Sequence, residues 1–235
     1  DRLVSAQGLA LDPFRTGLPL RGRFHPPGAI PRVDLPPATC GLQGRFMESK
    51  SMSNNYPVVI YGASGYTGRQ VAEYLRDYRV PFIAAGRSRA RLEQAMNAVP
   101  GIDDCKFEIV EVEHDVEALA KLFRGRRVVC NTVGPFARRA NTVIEAALKA
   151  GIHYLDTAGE QSHVAKVRER WDADFRKAGL LVVPSMAYMY SVSEISAHFV
   201  METEGVDSLE MFMYGVAVPT QNSAESIFDA LMRDK

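Results

Sequence analysis

Apolar residues fall in short runs of four to six separated by polar stretches that repeat with a helical period, and the alternation holds from Tyr56 onward. Val58-Val59-Ile60-Tyr61 is a buried-strand pattern, followed by glycines and a helix through Asp77. Pro81 to Gly86 reads as the second strand. Asp115 to Arg124 places Val116, Leu119, Ala120 and Phe123 on one helical face. Arg127 to Asn131 is a strand, and Asn141 to Ala150 a helix with Val143, Ala146, Ala147 and Ala150 inward and Gly151 as its stop. Ile152 to Leu155 gives the next strand, Val164 to Ala178 the next helix and Leu180 to Val183 the sixth strand. Strands alternating with helices in this way predict an α/β fold, a Rossmann-type doubly wound parallel sheet covered on both faces.

Two segments lie outside this pattern. Residues 1–46 carry seven prolines, six arginines and no lysine, without sustained periodicity. The expectation is a disordered Pro/Arg-rich extension over 1–52, artefactual or a linker; a transit segment is the alternative, although its prolines oppose an amphipathic helix. The sheet-forming domain spans 53–184. Beyond it, Ser191 to Thr203 reads as a helix and Ser208 to Val218 as a longer strand with Leu209, Met211 and Met213 alternating. Residues 185–235 are thus expected to start a truncated second α/β domain.

The chemistry concentrates at the first turn. Gly62-Ala63-Ser64-Gly65-Tyr66-Thr67-Gly68 joins a strand to a helix with the spacing of a dinucleotide fingerprint. In it Gly62 permits the tight turn, Gly65 lets backbone approach a pyrophosphate, and Gly68 lets helix and strand pack closely. The helix aims free N–H groups and its positive dipole end at the phosphates. One βαβ step later, where an NAD site places Asp or Glu, stands Arg87, with Ser88, Arg89 and Arg91 beside it and no carboxylate before Glu93. A guanidinium matches a 2′-phosphate, so the expected cofactor is NADP(H); the alternative is a set of solvated arginines at a helix start.

Composition narrows the function classes. Among 235 residues, formal net charge is zero, so no global field favours nucleic acid or an anionic membrane. Arg124-Gly125-Arg126-Arg127 reads as a solvated turn, and no apolar run is long enough for an integral membrane segment. Cys40, Cys105 and Cys130 have no CxxC spacing and an odd count, which fits reduced thiols and a cytoplasmic setting. Cys105 and Cys130 fall in strand-like segments as small core residues. The five histidines form no HExxH, so no metal is expected. A P-loop and a Tyr-x-x-x-Lys pair are both absent.

Four motifs in order carry a family resemblance. They are the Gly62–Gly68 loop, Ala85-Gly86-Arg87-Ser88, Asn131-Thr132-Val133-Gly134-Pro135-Phe136, and His153-Tyr154-Leu155-Asp156-Thr157-Ala158-Gly159-Glu160. The stretch from Tyr56 to Pro184 resembles the NADP-binding domain of saccharopine dehydrogenase-like oxidoreductases, a group that includes the trans-acting enoyl reductases. The resemblance implies cofactor binding by Gly62 to Gly68, Arg87, Ser88 and Asn131 to Pro135, a small-molecule substrate, and a second domain that completes the cleft and could form a homodimer. Phe136 could pack on the cofactor or on the next helix; Asp156 or Glu160 could meet substrate or cap the following helix. Relatives commonly carry an aspartate and Ser-x-Pro-Ser-Asp after the sixth strand, where this chain has Pro184-Ser185-Met186-Ala187-Tyr188-Met189-Tyr190-Ser191. That departure suggests a larger, more apolar substrate, the alternative being that these residues only seal the domain interface; Tyr188 and Tyr190 are the nearest proton donors. The alternative to an oxidoreductase is a non-catalytic NADP(H)-binding sensor or scaffold.

Overall fold

The computed structural model describes residues 55–212 and 219–233. The expected 1–52 extension lies outside them. Six strands form one sheet: β1 (Val58–Tyr61), β2 (Phe82–Gly86), β3 (Phe107–Glu111), β4 (Val128–Asn131), β5 (His153–Asp156) and β6 (Val182–Val183). Their order is β3-β2-β1-β4-β5-β6, with every pair parallel and Val59 in register with both Ile83 and Val129. The strand order reverses between β1 and β4, which opens a crevice at the carboxyl edge of the sheet.

Alternation along β1 builds a core on each face. Ile60 joins Phe82, Ala84, Leu92 and Met96 beneath α1 (Tyr66–Asp77) and α2 (Arg89–Asn97). Val59 and Tyr61 join Ile83, Leu119, Phe123, Ile144 and Phe175 beneath α3 (Val116–Phe123), α4 (Phe136–Ala150) and α5 (Gln161–Lys177). Helix ends follow local chemistry. Asp115 Oδ1 accepts from the N–H groups of Glu117 and Ala118 at 2.9 and 3.1 Å to start α3. Gly151 ends α4 at φ 73°.

Three expectations need correction. α4 begins at Phe136, not Asn141: Pro135 stands at its cap in extended backbone, and the polar Arg138-Arg139 pair conceals the first turn's apolar face. Cys105 precedes β3, closing a 3-10 turn (Ile102–Asp104), and is buried all the same. Ser208 to Phe212 forms no strand, and the rest of that expected strand lies outside the described residues. After β6 come a π-helical turn (Tyr188–Val192), α6 (Ser193–Met201) and α7 (Gln221–Arg233). α7 was not expected, yet Thr220 supplies a starting cap and Ala224, Ile227 and Phe228 recur at helical spacing.

Candidate nucleotide-binding site

The loop after β1 is pinned to its neighbours. Gly62 has φ 94°, and its N–H and that of Ala63 donate to Ala85 O at the end of β2, at 2.9 and 3.3 Å. A Cβ on Gly62 would lie 2.7 Å from both Thr132 Oγ1 and Val133 Cγ2. Gly68, in the first turn of α1, packs its Cα against the loop so closely that a Cβ would lie 2.4 Å from Gly62 O. Helix and loop are therefore locked together by the absence of two side chains.

This packing leaves the start of α1 open. Gly65 occupies the cap position in extended backbone, no side chain caps the helix, and its first turn holds no acid. Ser64, Gly65 and Tyr66 are exposed, while Ala63 is buried in the core and Thr67 half-buried. The unsatisfied first-turn N–H groups and the dipole fit a pyrophosphate, so the cradle suits a dinucleotide.

The loop after β4 is held mainly by its neighbours, with one bond of its own. The buried Asn131 donates from Nδ2 to Tyr154 Oη at 3.0 Å and accepts from Val133 N at 3.0 Å. Thr132 Oγ1 is 3.1 Å from Tyr61 O and 3.2 Å from Gly62 O, bracing the glycine loop. Gly134 and Pro135 are buried, joined by a cis peptide bond, and Ser226 of α7 approaches Gly134. Of this segment, Asn131 and Thr132 spend their side chains on shaping the crevice.

Asp156 and Glu160 neither meet solvent nor cap α5 with their side chains. Asp156 is 0% exposed and accepts from Tyr154 Oη at 2.8 Å, Ala158 N at 2.9 Å, Ser185 N at 2.8 Å and His163 Nε2 at 2.9 Å. It ties the ends of β5 and β6 to α5. Burial first, and then this carboxylate, hold the Tyr154 phenol far above its ordinary range. Glu160 accepts from Gly159 N and from Phe136 N at 3.1 Å each, so it caps the neighbouring α4, whose own cap residue is Pro135. Phe136 packs against His163 with ring centroids 6.2 Å apart, on the helix side of its two alternatives. His163 gave no signal in the sequence; a lone histidine at a helix start is visible as a carboxylate partner only after folding.

Just after β2, Arg87 is exposed and forms no hydrogen bond or ion pair among the described residues. Ser88 caps α2, its Oγ 3.4 Å from Arg91 N. Beneath Arg87, Tyr61 Oη lies 2.9 Å from His114 Nδ1 with the rings stacked. Burial, then Arg139, then Arg87 hold His114 below its ordinary pKa of 6.5. Burial raises the Tyr61 phenol against the opposing pull of Arg87 and Arg139. Among the described cysteines, burial pushes the Cys105 thiol up, and burial with Asp156 pushes Cys130 up to about 11. Among the described residues no group of His, Cys, Asp and Glu could hold a metal, and no helix is long and apolar enough to cross a membrane.

Comparison with known proteins agrees with this geometry. The chain is 28% identical over 154 residues to the lipid droplet localized protein of Caenorhabditis elegans, covering 62% of this chain and 36% of that protein. It is 25% identical over 147 residues to the saccharopine dehydrogenase-like oxidoreductase of Homo sapiens, covering 57% and 34%. With the trans-acting enoyl reductase of Mycobacterium ulcerans the identity is 24% over 151 residues, covering 63% and 36%. The match thus spans about a third of the length of these relatives. Among solved structures, apo saccharopine dehydrogenase (L-Glu forming) of Saccharomyces cerevisiae aligns at TM-score 0.49 and 17% identity, covering 61% of this chain and 30% of that one. The saccharopine dehydrogenase NADP binding domain family matches residues 58–183, more than half of the chain, and the chain belongs to that family.

Proposed function

We propose that the chain is the cofactor-binding part of an oxidoreductase that uses NADP(H) in preference to NAD(H) and acts on a rather apolar organic substrate. The observation that carries the cofactor choice is Arg87 at the end of β2, exposed and unpaired among the described residues, where an NAD site needs a carboxylate. The bound nicotinamide would supply hydride transfer. The chain's part is to hold the pyrophosphate at the open start of α1, to meet the adenosine ribose with Arg87 and Ser88, and to keep the β4–α4 loop rigid through Asn131, Thr132 and Glu160.

The substrate class rests on the segment after β6. Met186 and Tyr188 are 50% and 74% exposed there, in place of the carboxylate-bearing loop of an amino-acid dehydrogenase. Tyr190 Oη donates to Gly159 O at 2.8 Å, which commits its proton to a structural bond and leaves Tyr188 as the acid candidate of the pair. The test is calorimetric titration with NADPH and NADH of the wild-type chain and of Arg87→Asp. Loss of one charge-assisted contact, and its replacement by repulsion, should weaken NADPH by about 10- to 100-fold and leave NADH nearly unchanged. Equal affinity for both cofactors in the wild type would refute the assignment.

A further inference from the structure

The three arginines after β2 have different fates. Arg89 is a strut: its guanidinium donates to Ile109 O at 3.0 Å and pairs with Glu93 at 3.6 Å, while its backbone N–H donates to Glu111 Oε2 at 2.8 Å. Arg91 instead projects into an open groove between α1 and α2, which Ser64 of the glycine loop, Arg69, Gln94 and two alanines also line. Arg69 brings a second guanidinium from the first turn of α1, and its Nε is buried with no hydrogen-bond partner. Neither Arg69 nor Arg91 pairs with a carboxylate among the described residues, and the groove's lining contains no acid. Glu73, which lines the adjoining surface, lies 3.7 Å from Arg76.

The two guanidinium groups repel each other, and an anion between them would relieve that repulsion while the Ser64 hydroxyl offers it a further donor. The groove adjoins both the loop that cradles the pyrophosphate and the Arg87-Ser88 step, and a phosphomonoester presents oxygens to several donors at once. We propose that Ser64, Arg69 and Arg91 form, with Arg87, the seat of the adenosine 2′-phosphate, so that cofactor choice is set from α1 and α2 as well as from the end of β2. This rests on the proposed NADP(H) preference and carries the 2′-phosphate contact from Arg87 to the groove side chains of Ser64, Arg69 and Arg91.

The experiment is titration of the full chain and its Arg91→Ala, Arg69→Met and Arg89→Ala variants with NADPH, NADH and inorganic phosphate, with thermal unfolding of each variant measured alongside. The methionine keeps the packed stem of Arg69 and removes its charge. The expected result is a loss of NADPH affinity of about tenfold or more for Arg91→Ala and Arg69→Met, with NADH unchanged and Arg89→Ala as wild type. Inorganic phosphate should compete with NADPH and not with NADH. Wild-type NADPH affinity in folded Arg91→Ala, or an equal loss for both cofactors, would overturn the groove's role while leaving a preference that Arg87→Asp abolishes intact. A wild type without preference for NADPH would overturn the cofactor assignment and the groove with it.

Discussion

Gly68→Ala sets two magnitudes against each other. Gly68 lies inside α1, where alanine ordinarily stabilises a helix by about 1 kcal/mol. Here the added Cβ would lie 2.4 Å from Gly62 O, 2.7 Å from Ala63 Cα and 3.0 Å from Gly62 C, all backbone atoms. To reach even 3.0 Å from the carbonyl oxygen the helix must withdraw by 0.6 Å, the difference between 3.0 and 2.4 Å. Overpacking of this kind costs about 3 kcal/mol where the neighbour cannot rotate away. The net loss should be about 2 kcal/mol, or a Tm lower by about 4–8 °C for a domain of this size. Withdrawal also carries the first-turn N–H groups away from the pyrophosphate, so nucleotide affinity falls as well. Gly65→Ala is the contrast. Its φ is −79°, and the only atom its Cβ would meet is Gly62 O at 3.3 Å. It should change stability by less than about 1 kcal/mol but weaken NADPH about tenfold or more, because the methyl enters the space left for the phosphates. Urea denaturation and NADPH titration of both variants separate the effects. A Gly68→Ala protein as stable as wild type, or a Gly65→Ala protein that binds normally, would refute the packing account.

Asp156→Asn keeps the volume but points an N–H donor at Tyr154 Oη and His163 Nε2; urea denaturation should show a loss of about 3 kcal/mol, and a loss below about 0.5 kcal/mol would deny that Asp156 is the hub. Because the Cys130 thiol is pushed up to about 11, iodoacetamide at pH 8 should leave it unmodified in the native state, as peptide mass spectrometry would report. The unfolded thiol ionises near pH 9 and the folded one only near 11, so Cys130's contribution is complete below pH 9 and is lost as pH rises between those values. His114, held low by burial, Arg139 and Arg87, should titrate below 6.5 by NMR and move upward in Arg87→Ala. A depressed histidine gives its stabilisation above its unfolded pKa and loses it on acidification, so that part of acid sensitivity should shrink in the same variant; an unmoved His114 resonance would place Arg87 elsewhere.

Legibility in the sequence followed the range of the interaction. Most strands and helices of the sheet domain were readable because each is specified by its own periodicity, β3 and α2 being the exceptions, and the glycine loop because Gly62 and Gly68 answer to backbone geometry a few residues away. The start of α4 was obscured by Arg138 and Arg139, polar positions in a turn that Phe136 and Ala140 anchor. The roles of Asp156 and Glu160 were hidden for a different reason. Their partners lie on other elements: Ser185 stands 29 residues from Asp156, and Phe136 stands 24 from Glu160. Only the folded sheet brings these groups together. The same holds for Arg69, which no pattern in sequence connects to Arg91.

Those long-range bonds determine how the crevice can work. An open doubly wound sheet presents loops at its carboxyl edge, and loops are the least constrained parts of a fold. Here each loop is fastened to the next one: Thr132 to the Tyr61 and Gly62 carbonyls, Glu160 to the start of α4, and Asp156 to β6 through Ser185. Ser185 itself adopts φ 62°, a left-handed conformation uncommon for a serine, and in that geometry its N–H donates to Asp156. The buried carboxylates at this edge are therefore positioning groups, absent from the surface a nucleotide would touch. What that surface offers instead is backbone N–H at α1 and guanidinium groups at Arg69, Arg87 and Arg91. Asp156 and Glu160 serve as buried struts, while Glu111 at the end of β3 stays exposed and receives the Arg89 N–H; the guanidinium groups and α1 N–H groups left open are what the proposed phosphate-bearing ligand would meet.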